Sequence, residues 1–256
     1  MSHELRTALA ENQFWVAYRP ILELATGRLH KAEALIRWKH PRLGLVSPAE
    51  FIPIAEDTGL IISIGDWFFL QAAQQSIKWR DAFCKDFQIS VNKSPAQFKN
   101  NKINHVNWLG YLHEIGLDTN CIVIEITEGM LTETSDHIKG QLLAITEAGL
   151  GISLDDFGTG YSSLAYLNKF HIDYLKIDKS FVQELRPDSD NMALCEAIVV
   201  MAYILALKVI AEGVETVAQC NILKTMGCDY GQGYLFLKPV NAEDFEKLFK
   251  YPTMYS

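Results

Sequence analysis

Eight carboxylates stand in or at the ends of short apolar runs: Glu33, Glu125, Glu128, Asp155, Asp156, Asp178, Glu212 and Glu215. Asn92, Gln232 and Lys176 hold the same kind of position. Acids gathered on one rim repel one another unless cations lie between them. An all-oxygen donor set favours hard divalent ions, Mg2+, Mn2+ or Ca2+, over zinc. Two adjacent acids, Asp155 and Asp156, can reach different ions, or one can bridge while the other binds a single ion. A two-metal hydrolase uses that arrangement to activate water and stabilise a displaced phosphate oxygen. Lys176 is the natural group to orient the water or to stabilise developing negative charge. Each residue taken singly has a structural explanation: Glu33 as half of an ion pair, Asn92 as a helix cap, Glu212 as a solvated strand end. Their recurrence on six of eight expected strand ends favours a site.

The elements that must position these groups follow from pattern. The stretch 151–181 organises the rest: an apolar run ends in Asp155-Asp156, a glycine-rich turn follows, and a helix-length segment leads to a second run ending in Lys176-Ile177-Asp178. That is a βαβ unit with chemistry at one end of both strands. Upstream, strands are expected over 14–22 and 29–38, joined by a turn at Ala25-Thr26-Gly27-Arg28. So short a link permits only an antiparallel hairpin. Ser47-Pro48-Ala49-Glu50 has the form of a capping box opening a helix that Thr58-Gly59 stops. Further strands are expected over 87–92, 121–127, 208–211 and 230–237, with helices over 62–83, 133–148, 191–207 (buried) and 241–250. Eight strands, read as near-continuous apolar runs with helices between all but the first pair, imply one α/β domain over 1–256. Its fold is a single TIM-type (β/α)8-like barrel whose first strand runs antiparallel to the rest, with functional residues at the carboxyl ends of the strands. Residues 1–13 are expected to form a lead-in helix from an upstream regulatory domain.

Composition narrows the class. With 23 Lys and Arg against 31 Asp and Glu, the formal charge of −8 speaks against a generic polyanion surface and so against polymeric nucleic acid. Five cysteines without a C-x-x-C spacing fit neither a disulfide framework nor a zinc knuckle, and point to a reducing, cytoplasmic setting. The longest apolar run, 197–207, falls far short of the roughly 18 residues a membrane span needs, so no membrane contact by this domain is expected. There is no G-x-S-x-G elbow, Walker A loop or H-E-x-x-H motif. The turn Phe157-Gly158-Thr159-Gly160-Tyr161-Ser162-Ser163 suits both a phosphate cradle and an ordinary βα turn.

Taken in order, Glu33-Ala34-Leu35-Ile36-Arg37, Val91-Asn92, Glu125-Ile126-Thr127-Glu128, Asp155-Asp156-Phe157-Gly158-Thr159-Gly160-Tyr161-Ser162-Ser163, Leu175-Lys176-Ile177-Asp178, Ala211-Glu212-Gly213-Val214-Glu215 and Gln232-Gly233-Tyr234 resemble the motifs of EAL-domain cyclic-di-GMP phosphodiesterases. The resemblance implies hydrolysis of cyclic di-GMP to linear pGpG with two ions, Mg2+ or Mn2+, and inhibition by Ca2+. It implies that Glu33, Asn92, Glu125 and Asp155 hold one ion and that Asp155, Asp156 and Glu212 hold the other. Lys176 would contact the catalytic water, Gln232 would support the site, and Arg37 and Asp178 would contact phosphate and guanine. Glu128 would anchor the loop after Asp156 as a switch linking metal binding to dimerisation. A homodimer and an upstream sensor or GGDEF domain are further implied partners. Arg19 stands where such proteins commonly carry Gln, and Lys93, Ala96 and His171 are further departures; none is an implied metal ligand. The alternative is a catalytically silent cyclic-di-GMP receptor, which would be expected to have lost one of Glu33, Asp155, Asp156 or Lys176. A barrel enzyme acting on another phosphodiester is a third reading.

Overall fold

The computed structural model describes residues 2–99, 104–132, 136–159, 167 and 170–250. β1 (Phe14–Glu23) and β2 (Leu29–His40) form the expected hairpin, in register from Phe14 opposite Trp38 to Ile21 opposite Lys31, with a shift before Leu22 opposite Leu29. Gly27, at φ +70°, supplies the left-handed residue that so tight a return requires. β2 then pairs in parallel with β4 (Gln88–Asn92), and the sheet continues in parallel through β5 (Ile122–Thr127), β6 (Gly151–Phe157), β7 (Tyr174–Ile177), β8 (Lys208–Ala211) and β9 (Tyr230–Gly231). β9 returns to β1, Leu22 opposite Gly231, and closes an eight-stranded barrel in which β1 alone is antiparallel. The expected (β/α)8-like barrel is therefore the observed one.

Three local differences have physical causes. β3 (Gly44–Val46) adds to the outer end of β2, Trp38 opposite Val46, where no strand was expected. β2 thus runs beyond the barrel, and Glu33 lies inside the strand, one residue before its last pairing with β4 at Ala34. The last strand stops at Gly231 rather than reaching residue 237, because Phe236 and Leu237 donate to the Gly233 carbonyl and turn the chain. The capping box at Ser47 does not form: Ser47 caps α2 (Pro48–Asp57) without a side-chain bond, its carbonyl accepting from Glu50 and Phe51 while Pro48 presets the first turn.

α1 (Ser2–Ala8) is bolted to the barrel by Leu5 and Ala8, which are buried with Phe14, Trp38 and Phe51 in a core of their own. Full burial of a leucine stabilises by about 2 kcal/mol. α3 (Ile61–Ala82), α4 (Pro95–Lys99), α5 (Asn104–Glu114), α6 (Glu128–Thr132) and α7 (Asp136–Glu147) follow, and Gly149, at φ +83°, ends α7. The helix expected after β6, and the turn from Gly160 to Ser163, lie mostly outside the described residues. Beyond β7 come α8 (Lys179–Gln183), α9 (Asp190–Ile204), α10 (Val217–Thr225) and α11 (Ala242–Glu246). The capping box absent at Ser47 is present on α10, between Thr216 and Gln219. α9 is not the buried helix its composition suggested. It buries Cys195, Val199 and Ala202 but leaves Leu194, Val200, Tyr203 and Ile204 exposed, the last two at 84% and 75%.

Candidate functional site

Side chains alternate across a strand, so residues two apart on a barrel strand face the same side at successive depths. Lys31 and Glu33, Tyr174 and Lys176, and Tyr230 and Gln232 are such pairs. The deeper members meet at the floor, where Lys31 is bonded to Gln88 and, at 2.5 Å, to the Tyr174 hydroxyl. The shallower members converge toward the carboxyl ends. Lys176, fully buried, places its ammonium 2.6 Å from Glu212, 2.9 Å from Glu125, 3.1 Å from Asp155 and 3.5 Å from Glu33. Register brings these acids together, with Asn92 opposite Glu125 and Asp155 opposite Thr127.

Two adjacent acids on a regular strand would face opposite ways. β6 avoids this with a register shift between Leu154 and Phe157 and with Asp156 at φ +55°, a left-handed conformation that Asp tolerates better than most residues. Asp155, Asp156 and Glu212 consequently offer oxygens that all lie within 4.8 Å of one another. Two further carbonyl-type oxygens, Glu125 Oε1 and Gln232 Oε1, are buried without a hydrogen-bond partner. An all-oxygen, strongly acidic donor set with orphaned acceptors fits divalent cations. Among the described residues, Asp155, Asp156 and Glu212 are the group whose oxygens lie close enough together to hold such an ion.

Electrostatics follow from burial. Burial raises the Glu125 carboxyl well above the ordinary range, with Lys176 opposing, and raises Glu212 to about 7. Burial and then the Asp155 charge raise Asp156. At Glu33 the cost of burial is outweighed by Lys176 and Arg19, and its carboxyl is lowered. Burial alone would lower Lys176, but Glu125, Glu212, Glu33 and Asp155 together hold it well above its usual value, so it is a fixed cation.

The other expected site residues surround this cluster. Gln232 donates to Glu212 at 2.7 Å and to Glu33 at 3.4 Å, and Asn92 donates to Glu33 at 3.5 Å. Glu128 opens α6 and accepts from the Gly158 N–H at 3.3 Å, so it reaches the loop after Asp156. Asp178 caps α8, accepting from the Ser180 N–H at 2.9 Å, which gives it a structural task of its own. Arg37 is half-buried and lines a cavity of about 260 Å³ with Pro48, Ile52, Asn92 and Glu125. Glu215 is exposed, and its backbone N–H donates to the Gln219 side chain at 2.9 Å. Arg19 was noted in the sequence only as a departure. It makes an ion pair with Glu33 at 3.2 Å, and the hairpin register that sets the two opposite each other follows from the turn length.

The chain matches the EAL domain family over residues 2–239. It belongs to that family. MucR of Pseudomonas aeruginosa, a bifunctional diguanylate cyclase/cyclic di-GMP phosphodiesterase, is 41% identical over 242 residues, 94% of this chain and 35% of that protein. The cyclic di-GMP phosphodiesterase NbdA of the same organism is 37% identical over 254 residues, 98% of this chain and 32% of that protein. The chain thus spans about a third of the length of these relatives. Among solved structures, the MucR phosphodiesterase in complex with c-di-GMP superposes with a TM-score of 0.89 at 40% identity, covering 95% of this chain and 98% of that one. The EAL enzyme Bd1971 in its cAMP-bound form gives 0.91 at 35% identity, covering 97% and 69%. No helix among the described residues is long and apolar enough to cross a membrane.

Proposed function

We propose that this EAL domain is a divalent-metal-dependent phosphodiesterase that hydrolyses cyclic di-GMP to linear pGpG. The observation that carries the reading is the buried Lys176 ammonium in contact with carboxylates from four different strand segments, with Asp156 beside them. Glu33, Asn92, Glu125 and Asp155 would hold one Mg2+ or Mn2+, and Asp155, Asp156 and Glu212 the other. The bound ions would supply Lewis-acid polarisation and a water acidified to near-neutral pKa. Lys176 would orient that water and meet negative charge on the phosphoryl oxygens. Gln232, bonded to both Glu33 and Glu212, holds the two halves of the cluster in one geometry. Arg37 would contact a phosphate oxygen, and the cavity it lines would take part of a nucleobase. Water adds to phosphorus, one P–O3′ bond breaks, the 3′ oxygen takes a proton, and the ring opens to a 5′-phosphorylated dinucleotide. Glu128, through Gly158, ties the loop after Asp156 to β5 and suits a switch role.

The homodimer would use the exposed apolar face of α9, and Tyr203→Glu should then leave a folded monomer in sedimentation. Domains beyond this chain in a longer protein would supply the input signal, as the length of the relatives suggests.

Turnover of cyclic di-GMP, followed by separation of the linear product, tests the reading directly. It should require Mg2+ or Mn2+, stop with chelator or Ca2+, and vanish in Glu33→Ala. Tight binding of cyclic di-GMP with no turnover under any metal would instead assign a receptor role.

A further inference from the structure

Both oxygens of Glu33 already face fixed positive or donor groups. Oε1 meets Lys176 and Asn92, and Oε2 meets the Arg19 guanidinium and Gln232. Arg19 reaches it across the β1–β2 ladder from the one antiparallel strand, with its side chain 23% exposed at the mouth and its Nε buried without a partner. Arg37 lies close enough to feel the Arg19 charge, so two guanidinium groups share this side of the site. Counted at formal charge, five carboxylates, Glu33, Glu125, Asp155, Asp156 and Glu212, stand against the two cations in contact with them, Lys176 and Arg19, a formal excess of three negative charges. An uncharged residue at position 19 would leave four, the number two divalent ions neutralise. Arg19 thus adds one positive charge, beside Glu33, to those that the ions bring.

We infer that Arg19 is a built-in counter-ion to Glu33, a positioning residue that weakens the site's hold on divalent metal while adding positive charge where an anionic phosphodiester docks. This rests on the metal-dependent reading above. A guanidinium beside a carboxylate ligand competes with any ion for that ligand's electrons, and the like charges of guanidinium and ion repel at short range in a partly buried site. The cost falls on the ion and the benefit on the anion.

The test is Mn2+ titration by calorimetry on the substrate-free protein, with wild type, Arg19→Gln, Arg19→Met, Arg19→Lys and Glu33→Gln, each checked by circular dichroism. Arg19→Gln and Arg19→Met should lower the Mn2+ Kd on the order of tenfold, and Arg19→Lys should stay within about twofold of wild type. In turnover, the half-saturating Mn2+ concentration should fall in Arg19→Gln while KM for cyclic di-GMP rises. An unchanged or weakened Mn2+ Kd in the folded uncharged variants overturns the proposal, as does a lysine variant that tightens as much as glutamine does. Glu33→Gln separates the two failures: if it leaves Mn2+ binding untouched, the metal assignment itself is wrong, and if it weakens binding while Arg19→Gln changes nothing, only the counter-ion role is lost.

Discussion

Replacing Lys176 with Met removes the positive charge at the centre of four carboxylates, Glu33 and Glu125 buried and Asp155 and Glu212 partly so, while keeping the side chain's bulk. At an effective dielectric of about 20, each contact of 2.6–3.5 Å is a gross attraction of about 5–6 kcal/mol before the cost of burial is set against it. The net consequence of leaving buried charges without their partner is smaller, about 3–5 kcal/mol. For a chain of this size that is a fall in Tm on the order of 10 °C, measured in chelator. The variant has an escape: the acids can hold protons, since burial already lifts Glu212 to about 7 and Glu125 well above the usual range. Groups whose folded pKa exceeds the unfolded value bind more protons when folded, so their contribution to stability is lost as pH rises through the folded pKa. The gap between Lys176→Met and wild type should therefore widen from about pH 5.5 to 8. Mn2+ should raise the variant's Tm more than the wild type's, because the ion meets charges the lysine no longer does. Turnover should be lost at every metal concentration. A chelated variant as stable as wild type, or a gap that narrows with rising pH, would refute the account of Lys176 as the cluster's fixed cation.

Glu128→Ala deletes the acceptor for the Gly158 N–H, a bond to a charged group, and should cut turnover about tenfold or more while moving Tm by only a few degrees. Wild-type turnover in that variant would remove the switch assignment. At the barrel floor, burial lowers Lys31 to about 7 among Gln88, Tyr174, Tyr230 and the nearby Asp173. An unfolded lysine keeps its proton up to about pH 10.5, so between about 7 and 10.5 the unfolded state binds more protons and stability rises with pH. That slope is worth about 3 kcal/mol between pH 7 and about 9.5, and denaturation of Lys31→Met across the window should show it gone. A Cβ at Gly233 would overlap the backbone nitrogen and carbonyl of Val214, between Glu212 and Gln232. Gly233→Ala should cost about 3 kcal/mol and weaken Mn2+ binding, read by melting and by titration.

Much of this protein is local pattern. A five-residue link forces β1 and β2 antiparallel, apolar runs mark the remaining barrel strands, and the acids and Lys176 at or near their ends announce chemistry on oxygen-bound cations. These are properties of neighbours in the chain, set by backbone geometry and the period of the side chains. Other features depend on what the finished barrel brings near. Ser47 and Thr216 carry similar capping signals, yet only Thr216 forms the box, while at Ser47 the backbone carbonyl alone accepts from Glu50 and Phe51. The composition of α9 reads as core, but only the placement of the helix on the barrel decides that Tyr203 faces outward. Glu33 and Lys176 are 143 residues apart, and their ion pair exists because β9 returns to β1 and closes the ring. The bulge that turns both Asp155 and Asp156 to use, and the pairing of Arg19 with a metal-binding acid, are likewise decided there. Charge and residue type are written in the chain one position at a time, whereas distance, burial and the pKa values they produce belong to the closed barrel.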